Sequence, residues 1–122
     1  MRGFRELLDG DPECEDLLAW VDGCRHLDLE VYRILHETDG RLSVDEIAED
    51  VDRDRSTTYR AVRRLHENGY LDREQVTYDG GGYCYRYAAV DPDEVAAHLE
   101  DRVESCHREL TAMVDEFRTR FA

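Results

Sequence analysis

Apolar residues recur at intervals of three and four positions along most of the chain, which is the spacing of an amphipathic helix. Every such stretch opens on residues that favour a helix start. These signals are Asp11-Pro12, Asp28, the capping box from Ser43 to Glu46, Asp54, and Asp91-Pro92. Gly40 and Gly69 follow two of the stretches, where a left-handed residue commonly ends a helix. The pattern predicts helices over about residues 12–21, 28–39, 44–51, 55–68 and 92–121.

Residues 71–88 follow a different pattern, typical of two β-strands. The first strand alternates loosely from Leu71 to Tyr78. The second places Tyr83, Tyr85 and Tyr87 at alternate positions, so we expect the tyrosines to pack beneath the hairpin. Three glycines between the two segments predict a tight turn. The predicted fold is mainly α with a β-hairpin: a winged helix-turn-helix with an N-terminal helix and a long C-terminal dimerisation helix.

The chain's 122 residues are enough for one domain with a modest core. They are not enough for a separate ligand-binding domain of ordinary size beside a DNA-reading domain. We expect a single winged-helix domain over 1–122, in which residues 27–90 form the DNA-binding core and residues 91–122 form the dimerisation helix.

The predicted helix over 55–68 has an apolar face and a polar face. On a helical wheel Thr58, Val62 and Leu65 fall together and predict the buried side. The opposite side carries small hydroxyl residues and then arginines, namely Ser56, Thr57, Arg60, Arg63 and Arg64. Arginine can bond guanine in the major groove, and serine or threonine can reach bases or phosphates. This face therefore predicts a DNA-reading helix.

Charge is distributed unevenly, with one basic segment in an acidic chain of net charge −14. Residues 53–64 carry five arginines and one aspartate, a net charge of +4, whereas the rest carries 11 arginines and 29 acids, a net charge of −18. Arg53 and Arg55 lie at a helix start, where the macrodipole disfavours cations. A phosphate partner explains that placement better than helix stability does. The alternative is an ordinary solvated basic face.

The last predicted helix carries an apolar heptad seam. Its apolar residues are spaced alternately four and three apart over about three heptads. The seam comprises Leu99, Val103, Cys106, Leu110, Met113 and Phe117. We expect it to pair with a second copy of the chain, which would place two DNA-reading helices on two half-sites. The alternative is packing along the chain's own first helix.

Two segments resemble TrmB-like archaeal regulators. Ser56 to Leu65, followed by Glu67-Asn68-Gly69-Tyr70-Leu71, is similar to their DNA-binding domain, and Tyr87 to Glu94 is similar to their hairpin exit and next helix. The resemblance covers about residues 27–121 and implies a dimeric regulator that binds a palindromic promoter site. It places Ser56, Thr57, Tyr59, Arg60 and Arg64 in the helix that enters the groove. Sugar-sensing members carry a long C-terminal effector domain that this chain lacks, so a sugar ligand is not expected.

The residue-based argument and the resemblance together define the candidate DNA contacts. On the hairpin, Arg86 is a candidate contact to phosphate. The full set is Arg53, Arg55, Ser56, Thr57, Tyr59, Arg60, Arg63, Arg64 and Arg86.

Composition suggests a salty environment. All 16 basic residues are arginine and none is lysine, a bias that resembles extreme halophiles. Their proteins fold in molar salt, where charges are screened within about 3 Å. Salt ions are therefore expected at the acidic surface, although an ordinary acidic protein from a GC-rich genome is the alternative.

No apolar run approaches a membrane span and no signal peptide is visible, so we expect a cytoplasmic protein without a membrane partner.

Residues with catalytic or metal-binding potential are scattered. No H-E-x-x-H, P-loop or G-x-S-x-G motif occurs, and the four cysteines form no C-x-x-C pair. We expect buried or redox-sensing thiols, and no enzyme activity, cofactor or metal site.

Taken with the basic helix face, the heptad seam and the family resemblance, the sequence predicts a sequence-specific transcription regulator that acts as a homodimer on promoter DNA. The alternative is a winged-helix protein-interaction module in a larger assembly, without direct DNA readout.

Overall fold

The structure is a computed structural model that describes residues 3–122. The order of elements is helix, helix, helix, strand, helix, helix, hairpin and long helix. Their bounds are α1 Phe4–Asp9, a 3-10 turn Cys14–Asp16, α2 Leu17–Asp22, α3 His26–Glu37, β1 Leu42–Ser43, α4 Val44–Val51, α5 Arg55–Glu67, β2 Leu71–Thr77, β3 Tyr83–Ala89 and α6 Pro92–Arg120.

Helices α3, α4 and α5 and the hairpin form the predicted winged helix-turn-helix, which confirms the fold class. Strands β2 and β3 pair antiparallel from Leu71 opposite Ala89 to Thr77 opposite Tyr83. The short β1 adds Ser43 opposite Arg86, and the sheet order is β1-β3-β2. The sequence did not predict β1, because two residues are too few to display alternation.

The core lies between α3, α4, α5 and the sheet. Val31, Ile47 and Leu65 are fully buried there, and Tyr70 and Tyr87 close it from the hairpin side. The inward face of α5 is as predicted, and its buried residues are Thr58, Ala61, Val62 and Leu65. The opposite face of α5, apart from Arg64, is thereby turned away from the core.

The start of α3 corrects the sequence prediction. Arg25, rather than Asp28, is the N-cap residue, and the Asp28 carboxylate accepts a hydrogen bond from the Arg25 amide at 2.9 Å from within the first turn. An acid three residues into a helix closes the cap from inside, and the sequence pattern alone does not separate the two positions. The helix also ends before Gly40, at Glu37.

The N-terminal helix is also different from the prediction over residues 12–21. An unpredicted helix, α1, precedes it, and regular α-helix resumes only at Leu17. Asp11 has a φ of 57°, which breaks the helical path between α1 and the 3-10 turn. The Glu13 amide donates to Asp16 at 3.0 Å and caps that turn. The Asp11-Pro12 signal therefore marks a turn rather than the start of α2.

A buried carboxylate anchors the start of α6 to α2. The Asp22 side chain is 2% exposed, and it accepts hydrogen bonds from the Tyr70 hydroxyl and from His98 at 3.0 Å and pairs with Arg102 at 3.0 Å. Burial alone would raise the pKa of Asp22, but these bonds and the Arg102 charge outweigh burial and lower it.

Among residues 3–122, no helix combines the length and apolar character needed to cross a bilayer.

Candidate nucleic-acid interface and dimer seam

A tight turn joins α4 to α5, and each of these two helices begins at a capping residue. Ser43 accepts from the Glu46 amide at 3.2 Å while Glu46 accepts from the Ser43 amide at 3.1 Å, so the predicted capping box begins α4. Asp52, at a φ of 54°, ends α4, and only Arg53 separates it from the next cap. This geometry is the helix-turn-helix in which the second helix enters a groove.

Asp54 orders the first turn of α5. Its carboxylate accepts from the Thr57 amide at 2.8 Å and from the Ser56 and Thr57 hydroxyls at 2.9 Å each. These bonds hold the pKa of Asp54 at about 2. Arg60 in turn donates to the Thr57 hydroxyl at 3.3 Å. The hydrogens of the Ser56 and Thr57 hydroxyls are thus committed to the cap.

The predicted arginines differ in what holds them. Arg55 pairs with Asp45 at 2.9 Å and Arg63 with Glu67 at 2.8 Å, and all four side chains are more than half exposed. Exposed pairs of this kind contribute little, typically below about 1 kcal/mol, so a phosphate can replace either acid. Within the described range 3–122, Arg60 has no acidic partner in salt-bridge distance.

Arg64 occupies a different position from its neighbours. Its guanidinium makes two bonds to the buried Asp28 carboxylate, at 3.0 Å from Nε and 2.8 Å from a terminal nitrogen. The Arg64 side chain is 30% exposed and that of Asp28 is fully buried. A bidentate pair of this geometry joins α5 to α3. The structure therefore directs Arg64 toward the core, although the sequence groups it with the DNA contacts.

Arg86 on the wing, which is the hairpin formed by β2 and β3, is also engaged within the chain. It donates to the Arg41 carbonyl at 2.9 Å and pairs with Glu46 at 3.0 Å, which ties β3 to the start of α4. The other hairpin arginine, Arg73, lies 4.1 Å above the centre of the Tyr85 ring. Both arginines of the wing thus have a partner in the fold.

The alternate tyrosines of β3 are only partly packed. Tyr87 is buried, as expected, and Tyr85 is half-buried, but Tyr83 is 58% exposed. Tyr83 lies next to the hairpin turn, where no core remains beneath the sheet. The expectation that all three pack beneath the hairpin is therefore wrong for Tyr83.

A cleft of about 220 Å³ separates the start of α5 from the wing. Tyrosines form much of its lining, and the sequence analysis did not single out Tyr78 among them. A side-chain hydrogen bond with Cys84 raises the pKa of Tyr78. The cleft is lined by Ser43, Val44, Asp45, Arg55, Tyr59, Tyr78, Tyr83, Cys84, Tyr85 and Tyr87.

The heptad seam of α6 leaves the core after Leu99. Leu99 packs against the core, whereas Val103, Leu110, Met113 and Phe117 are 44–65% exposed. The middle of the seam, including Cys106, lines an open apolar groove of about 460 Å³. The opposite wall of the groove consists of Phe4, Leu17, Trp20 and Val21. The seam thus faces the chain's own N-terminal helices, as the alternative prediction requires, but they do not cover it.

Potential metal ligands do not converge in the part of the chain that the structure describes. Residues 3–122 contain no group of three or more histidine, cysteine, aspartate or glutamate side chains placed to hold an ion. Cys24 is buried, and burial raises the pKa of its thiol to about 11. The thiols of Cys14 and Cys106 are exposed and take part in no disulfide within residues 3–122.

Known proteins of similar sequence point to transcription regulation. The model of the sugar-specific transcriptional regulator TrmB family matches residues 20–93. The uncharacterized protein MJ1082 of Methanocaldococcus jannaschii is 38% identical over 104 residues, which are 85% of this chain and 85% of that protein. A second protein of that organism, MJ1503, is 33% identical over 84% of this chain and 76% of its own length.

Solved structures extend the same likeness to the fold. A possible transcriptional regulator from Methanosarcina mazei superimposes with a TM-score of 0.76 at 29% identity, over 84% of this chain and 86% of that one. The structure of MarR, at 18% identity, covers 93% of both chains with a TM-score of 0.50 and supports the fold alone. No sugar-binding domain is present among residues 3–122. The chain belongs to the TrmB family of transcriptional regulators and is a DNA-binding regulator of that family.

Proposed function

We propose that the protein acts as a homodimer that binds specific promoter sites, with one α5 helix in the major groove of each half-site, in a cytoplasm of high salt. The observation that carries the proposal is the outward face of α5. It presents arginines and hydroxyls from the first two turns, in a chain whose remaining charge is strongly negative. The rival role of a protein-interaction module would favour an apolar or acidic face there.

Arg60 is the best-placed candidate for base readout. It is the sixth residue of α5, it is exposed, and it has no acid to give up before it meets DNA. Its bond to Thr57 is a long one between neutral and charged groups at the surface. A guanidinium at this position can bond O6 and N7 of one guanine.

Replacing Arg60 with alanine is expected to lower affinity for the selected operator by roughly 1–3 kcal/mol, because one bidentate base contact is lost. The side chain makes no core contact, so the thermal unfolding midpoint should stay close to that of the wild type. Fluorescence anisotropy on an operator recovered from a random library measures the affinity, and circular dichroism measures the fold.

Arg25→Ala is the matched control, since it removes one exposed arginine from the start of α3 and leaves α5 intact. The Arg60 variant should also relax the preference at one base position. A folded Arg60→Ala protein with unchanged affinity and unchanged base preference would exclude this residue as a reader.

Dimerisation through α6 supports the two-site arrangement. The seam and the groove together expose apolar side chains from α1, α2 and α6, which costs free energy unless another surface covers them. A second copy supplies the same apolar residues from its own α6. Two α5 helices on a two-fold axis then reach half-sites about one DNA turn apart.

Salt dependence tests the high-salt part of the proposal. Each neutralised phosphate normally lowers the logarithm of affinity by about 0.9 per tenfold rise in salt. Acids outside residues 53–64 repel DNA, and cations held between them and the phosphates are taken up on binding. We therefore expect a shallow slope, or affinity that rises, between about 0.5 and 2 M KCl, where the screening length is a few ångströms.

Anisotropy titrations at several KCl concentrations measure that slope, and circular dichroism at each concentration separates weak binding from unfolding. An acid-to-amide variant on the exposed surface, Glu49→Gln with Asp50→Asn, should steepen the usual loss of affinity with salt. Tightest binding in dilute salt by a folded wild-type dimer, with a steep negative slope, would exclude the halophilic adaptation of the interface.

A further inference from the structure

We propose that the cleft between α5 and the wing binds the phosphodiester backbone of the DNA duplex through the neutral hydroxyls of Tyr78 and Tyr83, with Arg55 beside them. The inference rests on the proposed function and adds a site to it. It replaces the arginine-based wing contact that the sequence suggested with one made by tyrosines.

The exposed tyrosines are concentrated at this cleft. Tyr59, Tyr78 and Tyr83 are 43%, 55% and 58% exposed, and all three line it. Most of the other large hydrophobic side chains that are similarly exposed line the groove or belong to the seam, whereas Leu8 lies on α1 and Val114 and Phe121 lie toward the end of the chain. Neither the groove nor the seam includes the three tyrosines, which lie together beside α5.

The position of the cleft connects it to the recognition helix. Arg55 and Tyr59 belong to the first two turns of α5, and Ser43 and Asp45 belong to the start of α4. A duplex whose major groove receives Arg60 must carry its backbone past the flank of α5. The wing lies on that flank and its strands bring Tyr78 and Tyr83 to the two sides of the turn.

The charged groups near the cleft leave hydroxyls as the available wing donors. Arg86 is held by Glu46 and the Arg41 carbonyl, and Arg73 lies over the Tyr85 ring. Asp79 at the turn repels phosphate. A tyrosine hydroxyl donates a hydrogen bond to a phosphate oxygen without carrying charge, so it neither needs an acid partner in the free protein nor displaces one on binding.

Arg55 adds one cationic donor to the site. Only its Nε bonds Asp45, at 2.9 Å, and the remaining four N–H groups of the guanidinium make no bond within residues 3–122. The Asp45 charge is balanced by this pair, so the cleft does not present a net negative charge to DNA. Arg55 can therefore bond a phosphate while its link to Asp45 persists.

The test removes hydroxyls and keeps rings. Tyr78→Phe, Tyr83→Phe and the double variant are compared with Tyr32→Phe, a control on α3 outside the cleft. The probe is a short fluorescent duplex recovered from a random library by selection on the wild-type chain, together with a scrambled duplex of equal length. Affinity is measured by anisotropy across a KCl series.

Each single cleft variant is expected to bind about tenfold more weakly than the wild type, because one hydrogen bond to a charged oxygen is lost, and the double variant is expected to bind more weakly than either. The loss should be the same on both duplexes, since phosphate contacts carry no sequence information. The salt slope should not change, because a neutral donor releases no counterion. Tyr32→Phe should bind like the wild type.

Three results would overturn the inference. The first is a double Phe variant that binds as tightly as the wild type. The second is a Tyr83→Leu variant that binds weakly while Tyr83→Phe binds normally, which would assign the site to ring stacking. The third is a loss accompanied by a smaller salt slope, which would mean that Arg55 had been disturbed. A wild-type chain that binds neither duplex would instead contradict the proposed function.

Discussion

Replacing Leu110 with aspartate is expected to dissociate the dimer and to lower affinity for a two-half-site operator by roughly 10²–10⁴-fold. Leu110 lies in the middle of the seam, is 44% exposed in the single chain and lines the apolar groove. A carboxylate there would be buried against the second copy, which costs far more than the lost apolar contact. A monomer then holds one half-site and loses the gain from linked binding.

Light scattering coupled to size exclusion in molar KCl measures the mass, and anisotropy measures affinity for one half-site and for two. Ala112→Asp is the matched control, because it adds the same charge two residues away on the outward side of α6. The Leu110 variant should still bind a single half-site as a wild-type monomer would. If it remains a dimer in solution, the interface lies elsewhere on the chain.

Local signals in the sequence were sufficient to place α5, the proposed recognition helix. Ser43 and Glu46 form the α4 cap, and Asp54 and Thr57 form the α5 cap, at separations of three residues. Interactions over so short a separation depend on the helix alone, so they can be inferred without the fold. The buried face of α5 is likewise fixed by its periodicity.

Polar pairings between distant segments could not be predicted in the same way. Arg64 and Asp28 are 36 residues apart, and Arg86 and Glu46 are 40 apart. An arginine on the polar side of a helix looks the same in the sequence whether it meets DNA or an internal carboxylate. The two cases differ only after the chain has folded, when α3 lies beside α5 and β3 lies beside the start of α4. This packing decides which arginines are available to a partner.

The exposed wing tyrosines illustrate the same limit for aromatic residues. Alternation correctly placed Tyr83, Tyr85 and Tyr87 on one strand, but their burial falls with distance from the core. Tyr87 lies over α5, whereas Tyr83 lies at the turn. Strand periodicity indicates which face a side chain shares, and the depth of the core beneath that face depends on the packed helices.

Replacing Arg64 with methionine is expected to destabilise the fold by about 3–5 kcal/mol, a large part of the stability of a small domain. The Asp28 carboxylate is fully buried and its Arg64 bonds are 2.8 and 3.0 Å long. Without the guanidinium, a buried charge keeps only the Arg25 amide as a partner. Methionine keeps an unbranched apolar stem and a similar helix propensity, so the loss reports mainly the missing charge and hydrogen bonds.

Urea unfolding followed by circular dichroism at a fixed molar KCl concentration measures the change. The matched control is Arg63→Met, one residue earlier on α5, whose pair with Glu67 is more than half exposed and which should change stability by less than about 1 kcal/mol. The double variant Asp28→Leu with Arg64→Met should recover most of the loss, because no charge is then left buried. The double variant should remain about 1 kcal/mol less stable than the wild type, because it also lacks the Asp28 hydrogen bond that caps α3.

DNA binding by the same variants separates the two roles that Arg64 can have. If its guanidinium serves to join α5 to α3, the refolded double variant should bind the operator with nearly wild-type affinity, since Arg53, Arg55, Arg60 and Arg63 remain in place. If Arg64 leaves Asp28 to contact DNA, the double variant should be stable and bind at least tenfold more weakly. An Arg64→Met protein as stable as Arg63→Met would contradict the structural role directly, because a buried carboxylate without its partner cannot be neutral in cost.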